Sequence, residues 1–233
     1  MGRLIEELDY RPTDMGPLIL RRRWVAAIDA DVIEVILGEE HLMSSLFTVG
    51  ETELAVRGLA VATGDSLRVA VGGLGLGYTA RAALADARVT AVEVIDALGP
   101  VIEWHQAGLV PLGESLGADP RCRLVHGDFF GWFDQARTGA DRYDVVLLDI
   151  DHSPRALLHP DHGRFYTVEG LGRLRDGLTP GGVFAMWSDE GPDEAFLDLL
   201  RGVFARVAVE VVSFDNPLTD GASTCSVYLC HAA

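Results

Sequence analysis

From residue 67 onward, short unbroken apolar runs alternate with segments of helical character, and this rhythm limits the fold more than any other feature. A strand that is covered on both faces has no polar side, so it appears in a sequence as a continuous apolar run. The strand candidates lie at 67–71, 89–94, 123–126, 143–149 and 183–187, and the helix candidates at about 77–86, 96–107, 164–176 and 192–204. Strands that alternate with helices predict right-handed crossovers and a parallel sheet, which is an α/β fold.

The last part of the chain breaks this rhythm. Two strand candidates, 207–214 and 224–230, follow each other with only a loop between them, which predicts an antiparallel pair at one edge of the sheet. A mostly parallel sheet that ends in an antiparallel strand is the layout of the Rossmann-like class I methyltransferase fold.

The first part of the chain is strand-like and differs from the rest. Short strands are expected at 18–20, 32–37 and 41–47, as a small β-hairpin or meander. Thr48 and Glu51 have the spacing of a capping box, which predicts a linking helix from there to about Ala62. We therefore expect an N-terminal part at 1–62 and a nucleoside-binding catalytic domain at 63–233.

The charge of the chain restricts its partners. The 233 residues carry 19 basic side chains, all of them arginine, against 35 acidic ones, for a net charge of −16. Nucleic acids and anionic membranes bind mainly through neutralised phosphates, so neither is expected as a partner, whereas a cationic small molecule is. Three cysteines without a C-x-x-C pair argue against a disulfide framework and against a thiolate zinc site. With no secretion signal and no apolar run of about 18 residues, we expect a cytoplasmic protein.

A glycine-rich turn lies between the first strand and the first helix of this pattern. It contains Gly72, Gly73, Gly75 and Gly77, with the spacing G-x-G-x-G rather than that of dinucleotide-binding proteins. Glycine lets the backbone approach a ligand closely and adopt positive φ without strain. Such a turn at the carboxyl end of a strand is where open α/β sheets bind their ligands.

Acidic residues near the ends of the next two strands fit a nucleoside. Glu93, which we place at the end of the second strand, could accept hydrogen bonds from both ribose hydroxyls, with Asp96 as a helix-start residue. Asp128 follows the third strand and could accept from the adenine amino group, while Phe129 covers the ring. The alternative for Asp128 is an N-cap of the following helix.

A concentration of acids follows the fourth strand. Asp149 and Asp151 lie two residues apart there and are our candidate catalytic residues, and Tyr166, Asp189 and Glu190 are candidate substrate-binding residues at the same edge. A carboxylate can orient an ammonium group, accept its proton and stabilise a cationic transition state. A metal site, with His152 and His162 as further ligands, is an alternative whose spacing matches no known motif, so no metal is expected.

Four stretches of the chain resemble the spermidine/spermine synthase family of polyamine aminopropyltransferases. They are the glycine loop at 71–75, the strand end at 92–96, the run at 119–128 and the acidic loop at 148–154, within a similar region of about 67–190. The resemblance implies that Asp149 deprotonates or orients the attacking amine, that Glu93 holds ribose and that Asp128 holds adenine. It also implies decarboxylated S-adenosylmethionine as donor, methylthioadenosine as by-product, a small N-terminal β-domain and a homodimer.

The function we expect is the transfer of an alkyl group from an S-adenosylmethionine-type sulfonium, foremost aminopropyl transfer to an amine. An S-adenosylmethionine-dependent methyltransferase acting on a small molecule would share the nucleoside site and differ at the donor's tail. That tail is a carboxylate in S-adenosylmethionine, which Arg155 or Arg164 could bind, and an ammonium in the decarboxylated donor, which acids would bind. A non-catalytic nucleoside-binding protein is the third hypothesis.

Overall fold

The computed structural model describes residues 4–134, 137–219 and 221–233. The first sheet is antiparallel and meanders in sequence order. Its strands are β1 (Ile5–Thr13), β2 (Gly16–Val25), β3 (Ala30–Leu37) and β4 (Glu40–Ser44). One face is buried through apolar side chains such as Leu18, Leu20 and Val35, which makes this sheet part of a larger packed unit.

The second sheet has seven strands in the described part of the chain. They are β5 (Leu67–Gly72), β6 (Val89–Asp96), β7 (Cys122–His126), β8 (Tyr143–Leu148), β9 (Leu178–Ser188), β10 (Arg206–Asn216) and β11 (Gly221–His231). Their spatial order is β10-β11-β9-β8-β5-β6-β7. Strands β5 to β9 pair in parallel, whereas β11 pairs antiparallel with both β9 and β10. This is the predicted Rossmann-like class I methyltransferase arrangement, which is confirmed.

Seven α-helices lie in the described ranges, and most connect the strands of the large sheet. They are α1 (Val49–Ala60), α2 (Tyr78–Leu84), α3 (Gly99–Gln106), α4 (Gly113–Ala118), α5 (Phe129–Trp132), α6 (Val168–Asp176) and α7 (Glu194–Arg201). None of the described helices is long and apolar enough to cross a bilayer.

Helix α1 packs directly on the large sheet. A Cβ atom at Gly58 would lie 2.8 Å from a methyl carbon of Leu147 and 3.1 Å from the Cβ of Ala185, so the helix approaches the strands as closely as its backbone allows. The small sheet is held to the same unit through helix α3, where the indole N–H of the buried Trp104 donates to Asp9 of β1 at 2.6 Å. One hydrophobic core therefore extends from the small sheet through α1 into the large sheet.

Two details of the N-terminal part were predicted wrongly. Strand β1 is absent from the prediction because its side chains are mostly exposed or half-exposed, so it contains no apolar run. The capping box does not form: the Thr48 side chain makes no capping hydrogen bond, and the Thr48 carbonyl instead accepts from the Thr52 hydroxyl at 2.7 Å. Glu51 lines a cavity instead of capping the helix.

Candidate active site

A cleft opens where the carboxyl ends of β5, β6 and β8 meet the small sheet. Its enclosed part measures about 130 Å³, and the space widens to about 1010 Å³ when the open mouth is included. The large sheet contributes the glycine loop and the residues after its strands, and helix α1 contributes Glu51. The small sheet closes the other side with Val35 and Met43. The cleft thus lies between the two sheets, and neither sheet forms it alone.

The glycine loop adopts the conformations for which glycine is required. Gly73 has φ +92° and Gly75 has φ +46°, and both line the cleft. A Cβ atom at Gly73 would overlap the carbonyl oxygen of Asp149, and one at Gly75 would overlap the sulfur of Met43. The carbonyl of Gly75 accepts a hydrogen bond from the Nε2 of His105 at 2.9 Å, which fixes the loop against helix α3.

The other two predicted glycines lie behind the cleft and serve packing. A Cβ atom at Gly72 would come within 2.7 Å of the Phe129 ring. Gly77 has φ +93°, and its Cβ atom would come within 2.5 Å of a Leu116 methyl group. These two positions allow the loop to sit close to its neighbours, whereas Gly73 and Gly75 face the ligand space.

Asp96, the last residue of β6, holds the glycine loop from the side of the cleft. Its two oxygens accept from the backbone N–H of Leu74 at 2.8 Å and from that of Leu98 at 2.7 Å. Burial raises the pKa of this carboxyl group, and the backbone hydrogen bonds act in the opposite direction. Asp96 lines the cleft and therefore occupies the place that the sequence analysis gave to Glu93.

Glu93 is not at the strand end, and its prediction as a ribose ligand is contradicted by its position. It lies three residues before the end of β6, where it accepts from the Tyr143 hydroxyl and pairs with Arg123 at 3.2 Å. Side chains alternate between the two faces of a strand, so residues three apart point in opposite directions. Glu93 accordingly faces away from the cleft that Asp96 lines.

Asp128 and the aromatic residues after it line one end of the cleft. The carboxylate of Asp128 caps helix α5 by accepting from the N–H of Phe130 at 2.9 Å, and it also pairs with Arg164 at 3.0 Å. Phe129 is almost fully buried against the glycine loop. Phe130 packs on the imidazole of His162, with ring centroids 4.1 Å apart. Asp128 is therefore both the N-cap of helix α5 and a residue of the cleft wall.

Asp149 directly follows β8, as predicted, and its carboxyl group faces the cleft. It accepts a hydrogen bond from the Thr79 hydroxyl at 2.6 Å. Burial raises the pKa of Asp149 to about 6, while the Thr79 hydrogen bond lowers it. A carboxyl group that titrates near neutral pH can both accept and release a proton under ordinary conditions.

Glu51 is the functional candidate that the sequence analysis missed. It enters the same cleft from helix α1, and its pKa is raised to about 8, first by burial and then by the nearby charge of Asp149. A signal for it was present in the sequence. The buried residues Leu54, Ala55 and Gly58 follow Glu51 at spacings of three, four and seven, so Glu51 lies on the inward stripe of its helix.

Asp151 does not face the cleft, which contradicts its prediction as a second catalytic acid. Its side chain is fully buried and accepts three hydrogen bonds, from the Leu158 N–H, the His162 Nδ1 and the Tyr166 hydroxyl, each at 2.8 Å. Burial, with the neighbouring Asp151, raises the pKa of Tyr166 well above its ordinary value, so this hydroxyl remains a donor. Asp151 and Tyr166 shape the loop between β8 and α6, and Tyr166 is not part of the cleft wall.

Asp189 and Glu190 were predicted to bind substrate, and the structure places them outside the cleft. Both are exposed just beyond the end of β9. The Asp189 N–H donates to the carbonyl of His152 at 2.7 Å, and the Glu190 N–H donates to the Ser188 hydroxyl at 3.3 Å. Their carboxylates are solvated side chains of a turn, because the strand ends at Ser188 and the chain then leaves the cleft.

The wall of the cleft is largely apolar, and its carboxyl groups outnumber its basic side chains. No arginine is among its described lining residues. The four carboxyl groups that line it are those of Glu51, Asp96, Asp128 and Asp149. Arg155 is bound to Asp193 at 2.6 Å, and Arg164 is bound to Asp128. Across the described ranges, no group of three or more His, Cys, Asp or Glu side chains is arranged to hold a metal ion. The cleft is therefore suited to a cationic ligand.

Comparison with solved structures assigns the fold to a known class. Spermidine synthase from Thermotoga maritima superimposes with a TM-score of 0.73 at 17% identity, covering 97% of this chain and 72% of that one. A spermidine synthase in complex with the transition-state analogue AdoDATO gives 0.75 at 19% identity, covering 97% and 74%. The chain therefore has the fold of these spermidine synthases, which is a class I methyltransferase arrangement.

Sequence comparison then relates the chain to a family. The polyamine aminopropyltransferase of Pyrobaculum calidifontis is 26% identical over 160 residues, which are 68% of this chain and 54% of that protein. The polyamine aminopropyltransferase of Prochlorococcus marinus is 33% identical over 153 residues, 65% and 49% respectively. No family profile matches the chain. The chain is a relative of the polyamine aminopropyltransferases, which confirms the resemblance seen in its motifs, and it spans about half the length of these two relatives.

Proposed function

We propose that this chain is an aminopropyltransferase that uses decarboxylated S-adenosylmethionine as donor and an amine as acceptor. The observation that carries the proposal is the pair Glu51 and Asp149, two carboxyl groups that face one cleft whose described wall contains no arginine. The donor and an amine acceptor are both cationic, so this wall complements both. Relatives that are named polyamine aminopropyltransferases, among them those of Pyrobaculum calidifontis and Prochlorococcus marinus, support the same reaction.

The nucleoside part of the donor is assigned to the region around the glycine loop. Asp96 would accept from the ribose hydroxyls, because it is the acid at the end of β6 that lines the cleft. The adenine ring would lie near Asp128 and Phe130, at the end of β7. Gly73 and Gly75 let the backbone come close to the sulfonium end, beside Asp149.

The chemical step is a displacement at carbon. The lone pair of the neutral acceptor amine forms a bond to the propyl CH₂ next to sulfur, the carbon–sulfur bond breaks, and its electrons neutralise the sulfonium to give methylthioadenosine. The acceptor must first lose a proton from its ammonium form, and Asp149 would receive it. Because burial raises the pKa of Asp149 to about 6, this carboxylate is a stronger base than an exposed aspartate and is still mostly ionised at pH 7 to 8.

Glu51 distinguishes this reaction from methyl transfer. The tail of the decarboxylated donor ends in an ammonium group, whereas S-adenosylmethionine also carries a carboxylate there. A carboxylate next to Glu51 and Asp149 would be repelled, and both arginines that could have bound it already have acidic partners, Arg155 with Asp193 and Arg164 with Asp128. Glu51 would anchor the ammonium of the donor tail, with Asp149 left to the acceptor.

Calorimetry with the two donors tests the proposal. We expect decarboxylated S-adenosylmethionine to bind at least about tenfold more tightly than S-adenosylmethionine, since one unfavourable charge contact is worth about 1.4 kcal/mol or more. A release assay for methylthioadenosine with a series of mono- and diamines then identifies the acceptor. Tighter binding of S-adenosylmethionine, or methyl transfer to an acceptor, would reject the proposal in favour of a methyltransferase. Binding of the decarboxylated donor without turnover on any amine would favour a non-catalytic nucleoside-binding protein.

A second copy of the chain is part of the same proposal. Strand β1 is an edge of the small sheet and exposes Ile5 and Tyr10, each about half accessible to solvent. Exposed sheet edges are usually covered, and a twofold partner could do this. Sedimentation of the purified chain at micromolar concentration would measure its oligomeric state, and a monomer would reject this part.

A further inference from the structure

The imidazole of His162 lies at the end of the cleft that Phe129 and Phe130 line. Its side chain is 15% exposed, it lines the cleft, and its ring packs on Phe130 with centroids 4.1 Å apart and planes inclined by 38°. The proposed function does not use this residue. Its position beside Phe130 and Asp128 nevertheless puts a hydrogen-bonding ring next to the space assigned to the base of the nucleoside.

Asp151 fixes the hydrogen of this ring. Its carboxylate, which can only accept, lies 2.8 Å from the Nδ1 of His162, so Nδ1 carries the proton. The other two hydrogen bonds of Asp151, from Tyr166 and Leu158, hold the carboxylate in place. A neutral imidazole with its proton on Nδ1 presents Nε2 as a pure acceptor. Asp151 is therefore a positioning residue for His162.

The Nε2 of His162 is available to a ligand. Within the described ranges it has no hydrogen-bond partner, and His162 lines the cleft next to Phe130. A free acceptor at this end of the cleft can pair with an N–H group but not with a carbonyl oxygen. A 6-aminopurine offers N–H at its 6-position, and a 6-oxopurine offers a carbonyl oxygen there.

We infer that His162, oriented by Asp151, reads the 6-position of the purine and selects a 6-amino over a 6-oxo nucleoside. This inference rests on the nucleoside site of the proposed function and does not depend on the reaction performed there. A site that leaves two acceptors facing each other in a partly buried position loses the hydrogen bond and the hydration of both groups.

Two nucleosides that differ only at this position test the inference. We expect calorimetry at pH 8 to show that the wild-type chain binds methylthioadenosine about 10- to 100-fold more tightly than methylthioinosine. His162→Ala is expected to reduce that ratio by about tenfold, mainly by weakening methylthioadenosine binding. His162→Gln, whose amide offers both a donor and an acceptor, is expected to bind the two nucleosides about equally.

His231→Ala is the matched control. His231 is the last residue of β11 and does not line the cleft, so this variant should keep the wild-type ratio. Equal binding of both nucleosides by the wild type would overturn the inference while leaving the nucleoside site intact. So would an unchanged ratio in both His162 variants. If neither nucleoside binds the wild type, the inference fails together with the proposed function. The wild-type comparison decides the matter even if a His162 variant does not fold.

Discussion

The carboxyl groups of Glu51 and Asp149 face the same cleft, one from helix α1 and the other from the end of β8. Burial raises the pKa of Glu51 to about 8, with the charge of Asp149 adding to the effect, and burial raises the pKa of Asp149 to about 6. Near pH 7 the pair therefore retains one proton, mostly on Glu51. A bound cation would favour loss of that proton, because it stabilises the second negative charge.

Replacing Asp149 tests its role as the proton acceptor. Asp149→Asn keeps the shape and the hydrogen bond to Thr79 but cannot take a proton. We expect the turnover number to fall by about 10²- to 10⁴-fold, with donor affinity changed by less than about threefold. Single-turnover release of methylthioadenosine and donor calorimetry measure the two quantities. Equal losses in both would show that Asp149 serves binding instead.

The hydrogen bond from Thr79 should set the pH dependence of turnover. The Thr79 hydroxyl stabilises the ionised form of Asp149 and so lowers its pKa. At saturating substrates, the turnover number of the wild type should rise with pH around 6. In Thr79→Val the midpoint should move upward by roughly one pH unit, because that hydrogen bond to the charged form is lost. A midpoint that stays in place, or moves downward, would contradict this assignment of the ionising group.

Stability should respond to pH through Glu51. Its pKa in the folded chain, about 8, lies above its ordinary value of 4.5, so the folded state binds the proton more tightly than the unfolded state. The free energy of unfolding therefore falls as pH rises from about 4.5 to about 8. Glu51→Gln removes this loss and should be more stable than the wild type by about 2–4 kcal/mol at pH 9, with a much smaller difference at pH 4.

Urea denaturation at several pH values measures this effect, and Glu53→Gln is its control. Glu53 lies on the same helix, where it pairs with Arg57 at 2.7 Å near the surface. Its replacement should change stability by less than about 1 kcal/mol and leave the pH dependence intact. Parallel curves for wild type and Glu51→Gln would mean that Glu51 is not a buried, proton-binding group.

Asp96 and Glu93 can be separated by a pair of conservative variants. Asp96→Asn replaces one accepting oxygen by an amide NH₂ group that faces a backbone N–H of the loop, so the affinity for methylthioadenosine should fall by about 10- to 100-fold. Glu93→Gln alters a residue bonded to Tyr143 and Arg123 away from the cleft, and affinity should change by less than about twofold. Calorimetry on folded samples compares them. A larger loss of affinity in Glu93→Gln than in Asp96→Asn would instead identify Glu93 as the ribose ligand.

Alanine substitutions at two glycines with positive φ distinguish the stability cost of backbone strain from that of steric overlap. Gly181→Ala has φ +72° and open space around the added Cβ, so it should cost about 1–2 kcal/mol from strain alone. Gly73→Ala has φ +92° and would also press on the Asp149 carbonyl, so we expect a loss of about 2–5 kcal/mol. Chemical denaturation gives both values. Equal losses would show that the loop can move away from Asp149 freely.

The fold could be predicted because it depends on burial that a sequence displays directly. Strands such as 143–149 are covered on both faces and therefore read as apolar runs, and their alternation with helices fixes a parallel sheet. The same reasoning placed Asp149 correctly, since it directly follows such a run. Strand β1 has no buried face of its own and so left no comparable signal.

The site was harder to predict because it depends on which way side chains point. Placing the end of β6 at 94 instead of Asp96 put Glu93 at the ligand, although the two acids face opposite sides of the strand. Glu51 matched a local capping pattern, and only the tertiary structure shows that its cavity contact prevails. Asp151 is buried by hydrogen bonds within its own loop, and no periodic pattern reveals such a network.

Adjacent residues of helix α3 connect two distant parts of the molecule. Trp104 is tied to Asp9 of the outermost strand, and His105 is tied to the carbonyl of Gly75 in the glycine loop. A small rotation of this helix would therefore shift both hydrogen-bonded partners, Asp9 and Gly75, at the same time. Substitutions at the periphery of the small sheet could therefore retune ligand affinity without altering any residue that the ligand touches.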